Sequence, residues 1–189
     1  MIIITHAHLD HCGALPYYLS KYKYKRKVFM TKPTKDIYHY LVRDTAKVQK
    51  DRALFDAQEI LDSLEMIYPV EFGVLTEDDG IKITPYVAGH IVGAAMFIIE
   101  VDGVKVLYTG DYSCEEDRYI MKAEIPQSNV DILISESTFG IRVHESRRMR
   151  EQKFQEYVHK IVKNKGKCLL PVFSAGRAEE LLFILDEYW

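Results

Sequence analysis

A chain of 189 residues, 48% of them apolar and 28% charged, is long enough for one domain and the opening of a second, and too apolar for wholesale disorder. Twenty-five Lys and Arg against 28 Asp and Glu leave a formal charge of -3, which excludes a molecule-wide cationic field, so any polyanion must be met locally. The longest nearly uncharged apolar run, 91–99, is about half of what a bilayer span needs, so no membrane partner is expected, and the start MIIITHAH carries no export signal.

Apolar residues recur with a period that switches between two and about 3.6, the pattern of mixed α/β architecture. Residues 1–5 read as a buried strand with no turn or cap before it, as if an upstream part were absent. A short helix is predicted at 13–21 with Pro16 in its first turn, a strand at 27–31, and helices at 34–50, after Pro33, and at 57–67. Strands follow at 70–75, 81–88, 95–101 and 104–109. Asp79-Gly80 and Asp102-Gly103 supply the positive φ of two-residue hairpin loops. A strand at 131–135, a charged helix at 145–165 closed by Gly166, a strand at 167–173 and a helix at 177–188 complete the chain. Three cysteines, Cys12, Cys114 and Cys168, lack C-x-x-C spacing, which favours a reducing intracellular compartment over a disulfide framework or zinc knuckle.

Chemistry concentrates at 5–11, THAHLDH, where four of seven residues are ligands suited to a divalent first-row metal. His6 and His8, two apart on a loop leaving a strand, can enter one coordination sphere, while Asp10 and His11 can face a second. His90 in AGH and Asp111 in TGD each stand just beyond an apolar strand, after a glycine that permits a backbone turn. The expected arrangement is His6, His8, His90 and Asp111 around one metal, with Asp10, His11 and the same Asp111 around another, because a carboxylate bridges two ions and a neutral imidazole does not. His39, His144 and His159 have no partner ligands in sequence and read as structural or solvent-facing. Two close metals activate water for hydrolysis. The ions alone leave a phosphodiester, a thioester or a strained amide open as substrate.

THAHLDH, AGH and TGD, in that order, resemble the metallo-β-lactamase fold, an αββα sandwich. HLDHCGALPYYL, EEDRYIMKAEIP, DILISESTFG and LLPVFSAGRAEELLFILDEYW extend the resemblance to the β-CASP nucleases, closest to the polyadenylation endonucleases and less so to the Integrator type. The resemblance implies a partial metallo-β-lactamase domain at 1–140, lacking its N-terminal strands, and the beginning of a β-CASP domain at 141–189. It implies a nuclear endoribonuclease that cuts pre-mRNA before poly(A) addition among the other subunits of a cleavage and polyadenylation complex, with two zinc ions held by His6, His8, Asp10, His11, His90 and Asp111. Asp10 and Glu136 are the expected catalytic carboxylates, Glu136 by supporting a general-acid histidine. In the family that histidine, and another completing the second metal site, follow the β-CASP insertion. The polypeptide is therefore expected to be a fragment that holds at most one metal tightly and has little or no nuclease activity.

Residues 17–27, YYLSKYKYKRK, interleave aromatics with Lys21, Lys23, Lys25 and Arg26, a composition suited to stacking on bases and pairing with phosphates. The resemblance adds Arg177 as a phosphate contact. A glyoxalase-like thioesterase and a non-catalytic scaffold are the competing readings. Glu136 and GRAEE speak against the first, and the six intact ligands against the second.

Overall fold

A computed structural model describes residues 1–173 and 176–189, which divide into units of residues 1–136 and 137–189. In the first unit, β1 (Ile2–Ile3), β2 (Val28–Thr31) and β3 (Ile67–Val70) form a parallel sheet in that order, with Ile2 opposite Val28 and Val28 opposite Ile67. Parallel neighbours need long crossovers. Here α1 (Leu9–Cys12) with α2 (Leu15–Lys21) provides the first, and α3 (Lys32–Gln49) with α4 (Ala57–Glu65) the second.

Alternation along the strands splits their side chains between two cores. Val28, Met30 and Ile67 join Leu15, Leu19, Tyr38, Val42 and Ile60 under the helices. Phe29 and Val70 face the other way and meet Ile83, Ala95 and Phe97 of a second sheet. That sheet runs in the order β4 (Thr76–Asp78), β5 (Ile81–Val87), β6 (Ala95–Val101), β7 (Val104–Tyr108) and β8 (Ile132–Ile134), antiparallel except for the last pair. Both Asp-Gly turns form as expected, with φ of 55° and 75° at Asp79 and Gly80 and 50° and 82° at Asp102 and Gly103. All described helices of residues 1–136 precede β3, so helices, parallel sheet and mixed sheet make a partial αββα sandwich.

The second unit holds α5 (Arg147–Lys163) and α6 (Arg177–Tyr188), with Val158 and Ile184 buried. No described helix is long and apolar enough to cross a membrane.

Two expected strands are corrected. The strand at 70–75 is instead the end of β3 at Val70, a turn in which Val74 N–H donates to the Glu71 carbonyl at 3.1 Å, and then β4. Gly73, at φ of 73°, turns the chain there. Residues 167–173 form no ladder among the described residues, and Leu169 is 89% exposed. β propensity without a partner edge leaves the backbone groups to solvent. The helices also shift at their ends: Thr31 caps α3 ahead of Pro33, and the helix expected to reach 67 stops at Glu65 because Ile67 enters β3 opposite Val28.

Candidate metal centre

The end of β1 is tied to the start of β6 by Ala95 N–H donating to the Thr5 carbonyl at 2.8 Å. The chain stays extended through His8 (φ -62°, ψ 141°), so His6 and His8, two apart, can project together. His8 then caps the single turn α1, and His11, three residues on, returns to the same pocket. H-x-H-x-x-H is thus one extended step followed by one helical step. Cys12 closes the turn by donating to the Ala7 carbonyl at 3.1 Å, and burial pushes its thiol up to about 12, which makes it a structural group.

The other ligands arrive from the second sheet. His90, after β5, sits at φ of 64° between Gly89 and Gly93, at 70° and 82°. A non-glycine residue in that region is strained, which is common where a loop aims a functional side chain. Asp111 follows β7 after Gly110, whose φ of 54° completes the turn anticipated from the sequence.

The side chains converge. His8 Nδ1 and His90 Nε2 are 3.0 Å apart, and the His6 ring lies 4.9 Å from His8, 4.2 Å from His11 and 4.8 Å from His90 between centroids. Asp111 divides its carboxylate: Oδ1 is 3.6 Å from His11 Nε2, while Oδ2 is 3.7 Å from His90 Nε2 and 3.9 Å from His6 Nε2. Two donor groups result, His6–His8–His90 and His6–His11–Asp111, each with its ligand atoms within 4.8 Å of one another. Donors about 2.0–2.2 Å from one tetrahedral ion stand about 3.3–3.6 Å apart, the range these pairs straddle.

His6 tests whether a cation fits. Its side chain is fully buried and its Nε2 has no hydrogen-bond partner, while Nδ1 is 3.0 Å from Thr5 Oγ1. An orphaned buried nitrogen is costly unless its lone pair has a cation to meet. Desolvation, followed by the neighbouring rings of His11, His90 and His8, lowers the His6 pKa to about 3 and keeps the imidazole neutral, the form that ligates. In the tautomer that carries its proton on Nδ1, His6 donates to the Thr5 hydroxyl and leaves Nε2 bare. The His/Asp cluster is a metal-binding arrangement.

Residues 1–139 match the metallo-beta-lactamase superfamily domain. The chain belongs to that superfamily. Over its whole length it is 52% identical to cleavage and polyadenylation specificity factor subunit 3 of Dictyostelium discoideum, of which it covers 25%. It is 48% identical to cleavage and polyadenylation specificity factor subunit 3-I of Arabidopsis thaliana, covering 28%, and 44% identical to endoribonuclease YSH1 of Saccharomyces cerevisiae, covering 26%. The chain spans about a quarter of the length of these curated relatives.

In this member of the superfamily Asp10 lies at the mouth of the site, its side chain 78% exposed and its Oδ2 3.3 Å from His11 Nε2. Glu136 follows β8 and reaches the Asp111 loop, its Oε1 accepting from Tyr112 N–H at 3.4 Å. Lys21, Lys23, Lys25 and Arg26 are exposed at the other end of the parallel sheet, because α1 and α2 carry the chain back before β2 starts. Because Ile2 lies opposite Val28 in a parallel pair, Lys27 sits at the level of Met1, four residues and roughly 13 Å at strand rise before Thr5. Arg26 is paired with Asp79 at 3.0 Å. Arg177 begins α6, and its side chain lies outside the described residues. Sequence reasoning missed Thr5, Thr31, Thr34 and Gly93; only the glycine, three residues after His90, carried a local signal.

The depressed His6 pKa sets an expectation for metal-free protein. An unfolded histidine titrates near 6.5, so between that value and about 3 the unfolded chain binds a proton that folded His6 refuses. Stability is therefore expected to fall as pH drops from 6.5 toward 3, and His6→Gln to flatten the decline. Urea melts in chelator at pH 7 and pH 5 measure it.

Proposed function

We propose that the chain supplies the metal-binding portion of a zinc-dependent endoribonuclease that hydrolyses the pre-mRNA phosphodiester backbone in 3'-end processing, before polyadenylation. The observation that carries the reading is the divided Asp111 carboxylate, with one oxygen toward His11 and the other toward His6 and His90, a disposition that would let one carboxylate serve two metal ions. Full-length identity of 44–52% to proteins named as cleavage and polyadenylation factor subunits and as an endoribonuclease selects RNA over the other substrates open to such a site.

His6, His8, His90 and Asp111 hold one zinc ion in this reading, and Asp10, His11 and Asp111 hold the other. Zinc bound there supplies Lewis acidity toward a phosphate and a strong nucleophile at neutral pH. The remaining work belongs to the chain. Thr5 holds Nδ1 of His6 at 3.0 Å, and Glu136, bonded to the Tyr112 backbone beside the Asp111 loop, is in this reading the carboxylate that supports a general-acid histidine. Asp10, exposed at the mouth, is the second catalytic carboxylate. Lys21, Lys23 and Lys25 meet phosphates of an RNA that runs on past the metals toward that end of the sheet. Arg26 contributes once Asp79 releases it, and Arg177 is the further phosphate contact that the resemblance implies. Partner subunits and a nuclear setting follow from the same activity.

The test is a chimera in which these 189 residues replace the matching segment of the Dictyostelium relative, incubated with short RNA and, separately, with a thioester. RNA cleavage that chelator abolishes and zinc restores is expected. Turnover of the thioester without cleavage of RNA overturns the proposal.

A further inference from the structure

The strained loop that carries His90 is pinned from outside the site. Thr31, the N-cap of α3, accepts from Thr34 N–H at 3.3 Å and places its own hydroxyl 2.7 Å from the Gly93 carbonyl. The Thr34 hydroxyl reaches the same carbonyl at 2.9 Å. Thr34 is fully buried and Thr31 nearly so. The two hydroxyls also stand 2.9 Å from each other, so their two protons serve three contacts, and at least one of them is donated to the Gly93 carbonyl. Gly93 is packed against this end of the helix: a Cβ there would lie 2.8 Å from Thr34 N and 2.9 Å from Pro33 Cβ. Across the loop, Ala94 N–H donates to the Ile91 carbonyl at 3.1 Å and Ala88 N–H to the Ala94 carbonyl at 3.0 Å, so the segment 88–94 is a closed turn with His90 near its apex.

We propose that Thr31 and Thr34 are positioning residues for metal binding: by gripping the Gly93 carbonyl from the start of α3 they hold His90 in its strained conformation, with Nε2 toward His8 and Asp111. The inference rests on the metal reading of the His/Asp cluster and concerns residues that ligate nothing themselves. A left-handed conformation at His90 persists only while its surroundings impose it. Neither threonine hydrogen-bonds His90, so the coupling runs through Gly93 and the backbone of Ile91 and Val92. Loss of such an outer partner characteristically weakens a metal by about 10–100-fold.

Thr34→Val keeps the shape of the buried side chain and the Thr31 cap and removes one of the two donors. Zinc affinity of the 189-residue chain, measured by competition with a chromophoric chelator, is expected to fall about 10–100-fold, at a temperature where melts in chelator show both proteins folded. Thr34→Ser restores the hydroxyl and the affinity. In a His90→Ala background Thr34→Val is expected to weaken zinc no further, since the residue it positions is gone. Three results overturn the proposal: Thr34→Val with wild-type affinity, Thr34→Val costing as much with His90 absent as with it present, or a loss that Thr34→Ser fails to restore. A wild-type chain that takes up no zinc removes the metal reading itself, and this inference with it, a result distinct from the other three.

Discussion

Asp111→Asn is expected to abolish tight metal binding altogether, a larger loss than follows from replacing any single imidazole. The substitution preserves shape and removes a negative charge and one acceptor oxygen. Because Oδ1 faces His11 and Oδ2 faces both His6 and His90, whichever way the amide turns, an NH2 replaces an acceptor oxygen on one side and a neutral, weaker oxygen remains on the other. His8→Ala, by contrast, touches only the His6–His8–His90 group. The loss at Asp111 should exceed the roughly 10–100-fold typical of outer partners. Competition with a chromophoric chelator measures it, with His8→Ala alongside. Affinity for Asp111→Asn within about tenfold of wild type would show that the carboxylate is not shared between metals, and with that the observation carrying the nuclease proposal would be gone. In the chimera the same substitution is expected to stop RNA cleavage.

The site was largely legible where chemistry is written in residue type and obscure where it depends on a turn. Ligand density in THAHLDH exposed the cluster, and glycines before His90 and Asp111 marked the two distant contributors, whose neighbours Gly89 and Gly110 do take positive φ. What the pattern could not convey is how α1 turns. It brings His11 back beneath His6, so that His6 lies among both donor groups, and leaves Asp10 facing solvent. Nor does a single sequence disclose that Thr31 and Thr34 reach Gly93, since a hydroxyl about 60 positions away carries no mark of its partner. The fold follows the same division. Ala95–Val101 and its Asp-Gly hairpin were fixed by local turn chemistry, whereas 167–173, apolar enough for a strand, pairs with no edge among the described residues.

Gly110→Ala carries the largest expected cost to stability. At φ of 54° an alanine pays roughly 1–2 kcal/mol for the left-handed region. Its Cβ would lie 2.8 Å from Cβ, Cγ2 and Oγ1 of Thr5, a residue held by the Ala95 bond to its carbonyl, and forced overlap of that kind costs typically ~1–3 kcal/mol. The combined ~2–5 kcal/mol is a large share of the ~5–15 kcal/mol that holds a domain together. Gly103, at φ of 82° with open space around its Cβ position, supplies the control: Gly103→Ala has the conformational cost without the collision and should destabilise less. Thr5→Ala removes two of the three overlapping atoms, so the double variant Thr5→Ala/Gly110→Ala should be more stable than the two single losses added together. Urea melts of the four variants and the wild type in chelator decide it. Equal losses at 110 and 103, with no coupling to Thr5, would mean that the Asp111 turn does not bear on the residue that orients His6. If the coupling is found, the two halves of the site are joined by this contact, because the strand end that presents His6 and the turn that presents Asp111 then share one tightly packed pair.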